Sequence, residues 1–589
     1  MIETLSARHT ALVEEASRRT LVEDFQRMRA IKDRGITFLE GKGKSRFRSY
    51  AEVYDAASRF AKGLRDRGLR PGDSLLLALP EPDEALIAII GSMLAGNPPA
   101  PIYPPIGFLG VPAFLRYLEH VARRAQAKWM VAGSQITPLL GAVPKDVPTV
   151  GGVDKFSSML TGSTLDVPVD ATPDMSAFLQ FTSGSTASPK GVQVTHGNLT
   201  SNLAMIRYAS RMDENSCVVS WLPVYHDMGL IGTCLNAITM GIPLIVLSPR
   251  TFLREPGLWL SAISENRGTH TAAPNFAYGL CTKRLGEDKV KSLDLSSMVT
   301  FICGAEPVVP KTMERFVEHF APAKLDAGAM APAYGLAEAT LAVTFTPFAR
   351  GMTVDEVDPA RLAVDRIAGL PNGGGSQRVP SCGVAMPGLA VRVADENGRV
   401  LPERYVGEVQ VRGPSVTPGY IHDPEATARA RTPDGWLRTG DLGYLAGGEL
   451  HPCGREKDVI IIHGRNYHAH DLEAIASELP EVRTGNVVAF GVPGRGEGEE
   501  LVLVAESKTT DDVDRIAKEI RGRIAEAVRL TAGHVFVVPP GTLPKTSSGK
   551  LKRSETKTLY IAGQLGQNQP TYLAAWKSAL RSGITRLVG

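Results

Sequence analysis

The sequence is poor in the features that mark secreted, membrane-spanning and nucleic-acid-binding proteins. Its six cysteines include no Cys-x-x-Cys pair, which argues against a disulfide scaffold and predicts a reduced, cytoplasmic protein. The formal net charge is only +3, so a nucleic-acid partner is not expected. The most apolar run, Ala85–Leu94, is too short to span a bilayer. The segment Met1–Arg19 lacks the apolar core of a signal peptide, so we expect no membrane span.

The length of the chain indicates more than one domain. At 589 residues, with 43% apolar and 22% charged residues, it exceeds the size at which a single hydrophobic core keeps growing. The first part alternates helical patterns, such as Tyr50–Leu69 and Glu84–Ala95, with short apolar runs such as Ser74–Leu79. This alternation predicts the α/β class, with layered subdomains and a mainly parallel sheet.

The pattern changes twice in the second part of the chain. From about 384 to 455, short strands separated by turns predict a small β-rich subdomain. From 456 to 589, a new set of helix and strand patterns predicts a small α+β C-terminal domain. We therefore expect an N-terminal domain, 1–455, followed by a C-terminal domain, 456–589.

A short segment rich in glycine and hydroxyl residues is the strongest chemical signal. It contains Thr182, Ser183, Gly184, Ser185 and Thr186, with Lys190 close behind. Glycine lets backbone amides converge on an anion, hydroxyls add donors, and lysine adds a mobile positive charge. The spacing differs from that of a Walker loop, but the composition predicts a polyphosphate site. Taken alone, the segment could also be a flexible surface loop.

Four further segments contain residues suited to a nucleotide. Tyr334–Glu338 combines a ring that can stack on a purine with a carboxylate that can hold Mg²⁺. Thr439–Asp441 follows a strand-like segment and places an acid that can accept hydrogen bonds from ribose. Gly454–Asp458 supplies an arginine, and Pro544–Lys550 presents a lysine on a loop. Each segment alone has the alternative of an ordinary turn, but their shared order favours adenylate chemistry.

Together these motifs resemble those of the adenylate-forming superfamily, which includes acyl-CoA synthetases, luciferases and peptide-synthetase adenylation domains. The resemblance extends from about residue 20 to about residue 565. It implies that the loop 182–190 closes over the phosphates of ATP, with Thr182 among the catalytic residues. It also implies a nucleotide site formed by Gly304, Ala305, Glu306, Tyr334, Gly335 and Leu336, with Asp441 and Arg455 holding the ribose.

The same resemblance implies catalytic roles for residues of both predicted domains. Glu338 is expected to bind Mg²⁺ against the phosphates of ATP. Lys550 is expected to enter from a mobile C-terminal lid and stabilise the reacting carboxylate and α-phosphate, and Lys457 matches the hinge position. The chemistry needs cations, because a carboxylate and a phosphate repel each other unless their charges are screened.

Three features resemble the fatty acyl-AMP ligases within the superfamily. They are the segment Trp221–Gly232, the segment Ser381–Gly383, and the polar, Gly-rich interval 345–379 that precedes the latter. Connections of this length are uncommon and often functional. In the fatty acyl-AMP ligases, an insertion at this place is associated with failure to use free coenzyme A. The resemblance also implies an acyl pocket formed by Tyr225, His226, Asp227, Met228 and Gly229, with His226 near the adenylate.

The expected function is therefore activation of a fatty acid with ATP and Mg²⁺, followed by acyl transfer to an acyl carrier protein. Two alternatives stay open: a fatty acyl-CoA synthetase that uses free coenzyme A, and an amino-acid-activating enzyme. A serine hydrolase is not supported, because the chain lacks a Gly-x-Ser-x-Gly elbow. A catalytically inactive binding protein would be expected to lack Lys550 or Glu338.

The histidines allow two further interpretations. His463, His468 and His470 lie close together in the sequence, but their spacing matches no strong zinc pattern. The alternative role for His226 is that of a structural histidine whose ring nitrogens are satisfied within the protein.

Overall fold

The structure, a computed structural model, divides the chain into two compact units. It describes residues 2–41, 43–102, 111–137, 150–181, 189–372, 375–462, 465–493, 499–509, 512–528, 530, 532–545 and 550–565. Within these ranges, the first unit comprises the residues up to 358 together with 366–453, and the second comprises 359–365 together with the residues from 454 onward.

A mixed sheet forms the centre of the first unit. Thirteen strands of the described residues make up this sheet, in the spatial order Ala390–Ala394, Gly407–Arg412, Leu437–Ala446, Glu449–Arg455, Val384–Ala385, Ala342–Phe345, Met330–Gly335, Thr300–Cys303, His270–Ala273, Val218–Ser220, Leu244–Leu247, Gly35–Gly41 and Lys44–Ser49. The strands from Met330–Gly335 to Gly35–Gly41 are parallel to their neighbours. The strands on the other side of Met330–Gly335 pair antiparallel and form the β-rich region.

Smaller sheets complete the first unit. A parallel sheet has the order Pro99–Pro101, Leu75–Ala78, Trp129–Ala132 and Val153–Lys155. An antiparallel sheet has the order Gly419–Tyr420, Gly191–Thr195 and Ser176–Phe181. A core of buried apolar side chains lies beside strand Thr300–Cys303. This core includes Trp259, Phe301 and Phe316.

Helices cover the sheets. Among the described residues, the α-helices of the first unit are Ile2–Ala16, Leu21–Arg27, Tyr50–Asp66, Pro82–Leu94, Val111–Ala125, His196–Ser210, Asp227–Gly229, Asn236–Met240, Pro249–Arg254, Gly257–Glu265, Asn275–Arg284, Glu287–Lys291, Pro310–Phe320 and Pro424–Arg429, and Leu230–Leu235 is a π-helix. Short 3₁₀ turns occur at Met28–Ala30, Phe156–Leu160, Ala321–Ala323, Ala327–Ala329 and Ala337–Ala339.

The helix Tyr50–Asp66 illustrates how local sequence sets these elements. Ser49 forms a capping box with Glu52, since each residue's side chain accepts a hydrogen bond from the other's backbone amide. The buried face of the helix packs against helix Pro82–Leu94, where a Cβ at Gly91 would lie 2.5 Å from the Ala57 carbonyl oxygen. Glycine therefore permits the close approach of these two helices.

The second unit has its own small core. Its strands are Val459–Ile462 paired with Arg465–His468, and a three-stranded sheet of Val482–Pro493, Glu499–Ser507 and His534–Val538. Its helices are Pro359–Asp365, Ala469–Ala476, Val513–Val528 and Arg553–Ile561, and Glu456–Asp458 forms a 3₁₀ turn. Leu472, Leu503 and Ile520 are among the buried residues of this core. The predicted fold class, a large layered α/β domain with a β-rich subdomain and a small α+β domain, is confirmed.

The interval 345–379 is more ordered than its polar, Gly-rich sequence indicates. It contains the helix Pro359–Asp365 between strand Val354–Val357 and strand Gln377–Pro380, and the two strands pair antiparallel. Three ion pairs connect this interval and its flanking strand to the rest of the first unit: Arg350–Glu449, Asp355–Arg404 and Arg378–Glu314. We call the residues 345–379 the insertion.

Two observations concern the cysteines and the possibility of a membrane-spanning helix. All six cysteines are buried and free of disulfides. In the part of the chain that the structure describes, no helix is long and apolar enough to cross a membrane.

Candidate active site

Two of the predicted nucleotide segments lie at the carboxyl ends of neighbouring parallel strands. The segment from Gly304 to Glu306 directly follows Thr300–Cys303, and Tyr334 and Gly335 end Met330–Gly335. Strands Val218–Ser220, His270–Ala273, Thr300–Cys303 and Met330–Gly335 lie side by side in this order. At Met330–Gly335 the sheet changes from parallel to antiparallel pairing. In open α/β sheets, ligands bind beyond the carboxyl ends of the strands, where the chain topology changes direction. The fold therefore provides a site at this edge.

Tyr334 and Asp441, 107 residues apart in the sequence, meet at this edge. The Tyr334 hydroxyl donates a hydrogen bond to Asp441 Oδ2 over 2.7 Å. Asp441 is only 8% exposed, and its backbone amide donates to Thr439 Oγ1 over 3.1 Å. One correction concerns local structure, because Thr439–Asp441 lies inside strand Leu437–Ala446 and does not follow a strand. The two residues expected to hold adenine and ribose are thus brought together.

The chain turns sharply at two of the predicted nucleotide segments. At Gly335, a Cβ would lie 1.9 Å from the Leu341 carbonyl oxygen, so only glycine fits. The next residue, Leu336, donates its amide to the same oxygen over 2.8 Å. Ala305 adopts a positive φ of 67°, and Glu306 Oε1 accepts a hydrogen bond of 2.6 Å from the Phe276 amide. These contacts fix the segments at the ends of neighbouring strands.

Glu338 has a side-chain partner that the motifs did not predict. The Tyr420 hydroxyl donates to Glu338 Oε1 over 2.7 Å, and Lys190 Nζ lies 4.7 Å from the centroid of the Tyr420 ring. Burial and the Glu338 carboxylate raise the pKa of Tyr420, so its hydroxyl keeps its proton near neutral pH. Carboxylate oxygens are the ligands that Mg²⁺ prefers, so the chemistry of Glu338 fits this ion.

The residues predicted to form the acyl pocket lie beside the same edge. The His226 Nδ1 atom is 2.7 Å from Asp227 Oδ1, which also accepts a 2.7 Å hydrogen bond from the Met228 amide. The Tyr225 carbonyl oxygen accepts a hydrogen bond of 3.2 Å from Gln180 Nε2. A Cβ built at Gly304 would lie 4.0 Å from Met228 Sδ. Met228 therefore places the predicted acyl pocket, which ends at Gly229, next to the nucleotide segment.

Apolar side chains pack in the same buried cluster as Met228 of the predicted acyl pocket. Trp221 is 3% exposed and stacks on Phe252 with a centroid distance of 3.8 Å. Phe276 meets the edge of this indole with a centroid distance of 6.0 Å. The π-helix Leu230–Leu235 directly follows helix Asp227–Gly229, and all of its residues are buried. Such π-helical turns occur frequently at functional sites.

Three predicted residues belong to the second unit. Arg455 ends strand Glu449–Arg455, and Lys457 lies in the 3₁₀ turn Glu456–Asp458. Lys550 stands just before helix Arg553–Ile561. The Arg553 guanidinium forms ion pairs with Asp458 at 2.5 Å and with Glu473 at 2.8 Å. Arg553 thus connects the turn of Lys457 to the segment of Lys550.

The described residues do not include most of the predicted phosphate loop 182–190. Thr182, Ser183, Gly184, Ser185 and Thr186 lie outside the described residues, as does His463. His468 and His470 have ring centroids 5.9 Å apart. Among the residues that the structure describes, no group of three His, Cys, Asp or Glu side chains could hold a metal ion.

Comparison with known proteins identifies the family. Residues 24–421 match the model of a family described as AMP-binding enzyme. The chain belongs to the AMP-binding enzyme family. This AMP-binding enzyme is 36% identical over 532 residues to a putative acyl-CoA synthetase of Caulobacter vibrioides, with 88% of this chain and 91% of that protein covered. It is 34% identical over 541 residues to a medium-chain-fatty-acid–[acyl-carrier-protein] ligase of Moorena producens, with 88% and 90% covered.

A solved structure agrees with the family match. A chain from structural and functional studies of fatty acyl-adenylate ligases from E. coli and L. pneumophila has a TM-score of 0.88 to this enzyme and 33% sequence identity. The similarity covers 93% of this chain and 99% of the other. The AMP-binding enzyme is thus an adenylate-forming ligase, and its resemblance to the fatty acyl-AMP ligases is confirmed.

Proposed function

We propose that the enzyme activates a fatty acid with ATP and transfers the acyl group to an acyl carrier protein. The observation that carries the proposal is the hydrogen bond between Tyr334 and Asp441, which forms where the sheet changes from parallel to antiparallel pairing, on the strand that precedes Glu338. A ring that can stack on a purine and an acid that can accept hydrogen bonds from ribose thus meet at the end of strand Met330–Gly335, and a carboxylate that can bind a metal ion follows that strand, as a bound nucleotide requires.

The first half-reaction forms an acyl-adenylate. One carboxylate oxygen of the fatty acid attacks the α-phosphorus of ATP, a new C(O)O–P bond forms, and the bond to the bridging oxygen breaks, so pyrophosphate leaves. Mg²⁺, held by Glu338, would neutralise phosphate charge and keep the phosphates in line. Lys550 is proposed to meet the negative charge on the carboxylate and α-phosphate, as the mobile lid 456–589 turns about Lys457.

The second half-reaction transfers the acyl group. The thiol of the carrier's phosphopantetheine attacks the acyl carbon as a thiolate, a thioester forms, and AMP leaves with the electron pair of the broken C–O bond. No acid–base pair of the enzyme is needed in the first half-reaction, because the fatty acid arrives ionised. The thiol loses its proton to solvent before the thiolate attacks.

A fatty acid fits the surroundings of Tyr225–Gly229 better than an amino acid does. An amino-acid-activating site needs an aspartate for the substrate ammonium. Asp227 already binds His226 and the Met228 amide, and Trp221 and Phe276 supply apolar surface nearby. We therefore propose that these residues border the acyl chain and that His226 lies close to the adenylate.

The thiol that accepts the acyl group can be identified directly. The names of the two relatives differ on this point, since one is a putative acyl-CoA synthetase and the other an acyl-carrier-protein ligase. Pyrophosphate release should be measured with a series of fatty acids, and thioester formation with either coenzyme A or a phosphopantetheinylated carrier protein as acceptor. We expect adenylation with fatty acids and transfer to the carrier only. Efficient acyl-CoA formation would instead support the synthetase alternative.

The insertion is proposed to restrict the use of coenzyme A. Its strands belong to the first unit through the ion pairs of Arg350, Asp355 and Arg378, whereas its helix Pro359–Asp365 belongs to the second unit. Asn466 of the second unit donates a hydrogen bond of 3.1 Å to the Ala363 carbonyl oxygen in that helix. A segment that belongs to both units can limit domain rotation, which gates catalysis in many enzymes.

Replacing the residues between the two insertion strands, 358–376, with a two-residue Asn-Gly turn should therefore leave acyl-adenylate formation unchanged and permit acyl-CoA synthesis, which we expect the parent enzyme to lack. A control in which a Gly/Ser linker of the same length replaces these residues separates loss of the helix from shortening of the chain. Both variants should form acyl-CoA in a thioester assay if the helix is responsible. Unchanged acceptor choice in both variants would contradict the role of the insertion.

A further inference from the structure

Tyr420, which belongs to none of the nucleotide motifs, lies between two residues expected to act on phosphates. Its hydroxyl donates to Glu338 Oε1 over 2.7 Å, and its ring lies 4.7 Å from Lys190 Nζ. A cation close to the face of a tyrosine ring is attracted by the negative potential of that face. Through this hydrogen bond the tyrosine orients the carboxylate that would hold Mg²⁺. The Tyr420 side chain therefore contacts both a carboxylate that could bind a metal ion and an ammonium group that could bind phosphate.

The backbone fixes Tyr420 to the strand that follows Lys190. Strand Gly419–Tyr420 pairs antiparallel with Gly191–Thr195, with Tyr420 opposite Val192. The Ile421 amide donates to the Gly191 carbonyl oxygen over 2.8 Å. Because Lys190 directly precedes this strand, its position is set by the same pairing that positions Tyr420.

The segment of Tyr420 is also bonded to the turn of Glu338. The Thr417 amide donates to the Glu338 carbonyl oxygen over 2.9 Å. Thr340, just after Glu338, has a φ of +73°, a strained conformation for a β-branched residue. Its Oγ1 donates to the Ser415 carbonyl oxygen over 2.6 Å, which holds this turn in place. The segment 415–421 thus ties together the turn of Glu338 and the strand after Lys190.

We propose that Tyr420 is a positioning residue of the phosphate site, which orients the Glu338 carboxylate for Mg²⁺ through its hydroxyl and keeps Lys190 in place through its ring. This inference rests on the proposed function, because it takes Mg²⁺ and ATP as the ligands. Groups that hold a metal-binding side chain are typically worth about 10- to 100-fold in metal affinity or activity. The two contacts are chemically separable, since phenylalanine keeps the ring and leucine removes both.

Tyr420→Phe should raise the Mg²⁺ concentration for half-maximal pyrophosphate release about 10-fold, with little change in the affinity for ATP at saturating Mg²⁺. Calorimetric titration with Mg²⁺ and a non-hydrolysable ATP analogue should show the same shift without turnover. Tyr420→Leu should also weaken binding of the analogue at saturating Mg²⁺, by a further factor of about 5, because it removes the contact with Lys190.

A second tyrosine provides a matched control. The Tyr444 hydroxyl donates to Oδ2 of Asp355 in the insertion over 2.8 Å, and this carboxylate pairs with Arg404, which lies outside the insertion. Tyr444→Phe removes the same kind of hydrogen bond, and we expect it to leave the Mg²⁺ dependence unchanged. A shift in this control equal to that of Tyr420→Phe would point to general destabilisation and overturn the assignment.

A double-mutant cycle with Glu338 tests whether Tyr420 acts through this carboxylate. Adding Tyr420→Phe to Glu338→Gln should change the Mg²⁺ dependence no further, since coupled residues are not additive. Full additivity, or a Tyr420→Phe enzyme that titrates with Mg²⁺ like the parent, would overturn the inference. If the parent enzyme formed no acyl-adenylate from any fatty acid, the proposed function would fail, and the nucleotide titration would still report on Tyr420.

Discussion

Lys550→Ala should lower the rate of acyl-adenylate formation by about 10²–10³-fold in a protein that still folds, the scale observed when a preorganised electrostatic donor is lost. The ammonium group is proposed to act on charge that develops between the carboxylate and the α-phosphate. Because such an interaction is stronger in the transition state than with bound substrates, kcat and kcat/KM should fall together. Pyrophosphate release in a single turnover measures this step directly.

A neighbouring lysine and the second half-reaction supply the controls. Lys552 forms an ion pair of 2.9 Å with Glu555 on helix Arg553–Ile561, so Lys552→Ala should change adenylation little. Transfer from acyl-adenylate supplied as a reagent should survive in Lys550→Ala, because Lys550 is assigned to the first half-reaction only. A folded Lys550→Ala enzyme that adenylates at the parental rate would refute the assignment.

Most regular elements could be predicted because their signals are local. The pattern at Tyr50–Leu69 predicts a helix, and the structure has Tyr50–Asp66, started by the capping box of Ser49. The apolar run Ser74–Leu79 predicts a buried strand, and the strand is Leu75–Ala78 with all four residues buried. Both signals lie within the element itself, so the helix and the strand could be predicted from the sequence alone.

The secondary structure of the insertion could not be predicted from local sequence signals. Strands Val354–Val357 and Gln377–Pro380 have four residues each, too few for an alternating pattern to stand out. Their pairing is accompanied by ion pairs to residues far along the chain, such as the one between Asp355 and Arg404. The sequence therefore indicated a long polar connection, although the folded chain contains two strands and a helix.

Local motifs also revealed only some of the residues of the candidate site. Motifs pointed to Tyr334, Glu338 and Asp441 because each lies in a short recognisable segment. Tyr420 carried no such signal, since its contact with Glu338 joins residues 82 positions apart. Such a partner is set by the sheet pairing of Gly419–Tyr420 with Gly191–Thr195, which only the folded chain reveals.

Glu338→Gln is expected to slow acyl-adenylate formation by about 10- to 100-fold at the Mg²⁺ concentration that saturates the parent enzyme. The amide keeps an oxygen that can accept the hydrogen bond from Tyr420, but it removes the negative charge that attracts Mg²⁺. The fold should therefore persist while the metal is held more weakly. Higher Mg²⁺ should restore part of the rate, because mass action can refill a weakened site.

A Mg²⁺ titration of pyrophosphate release is the deciding measurement for this variant. Glu425, on helix Pro424–Arg429 near Tyr420 in the sequence, provides the control, since its side chain is 85% exposed and pairs only loosely with Arg429 at 3.6 Å. Glu425→Gln removes one negative charge from the same unit, and surface charges of this kind are screened by salt. Its titration should therefore coincide with that of the parent enzyme. If Glu338→Gln also coincided with the parent, Glu338 would not be the residue that holds the metal.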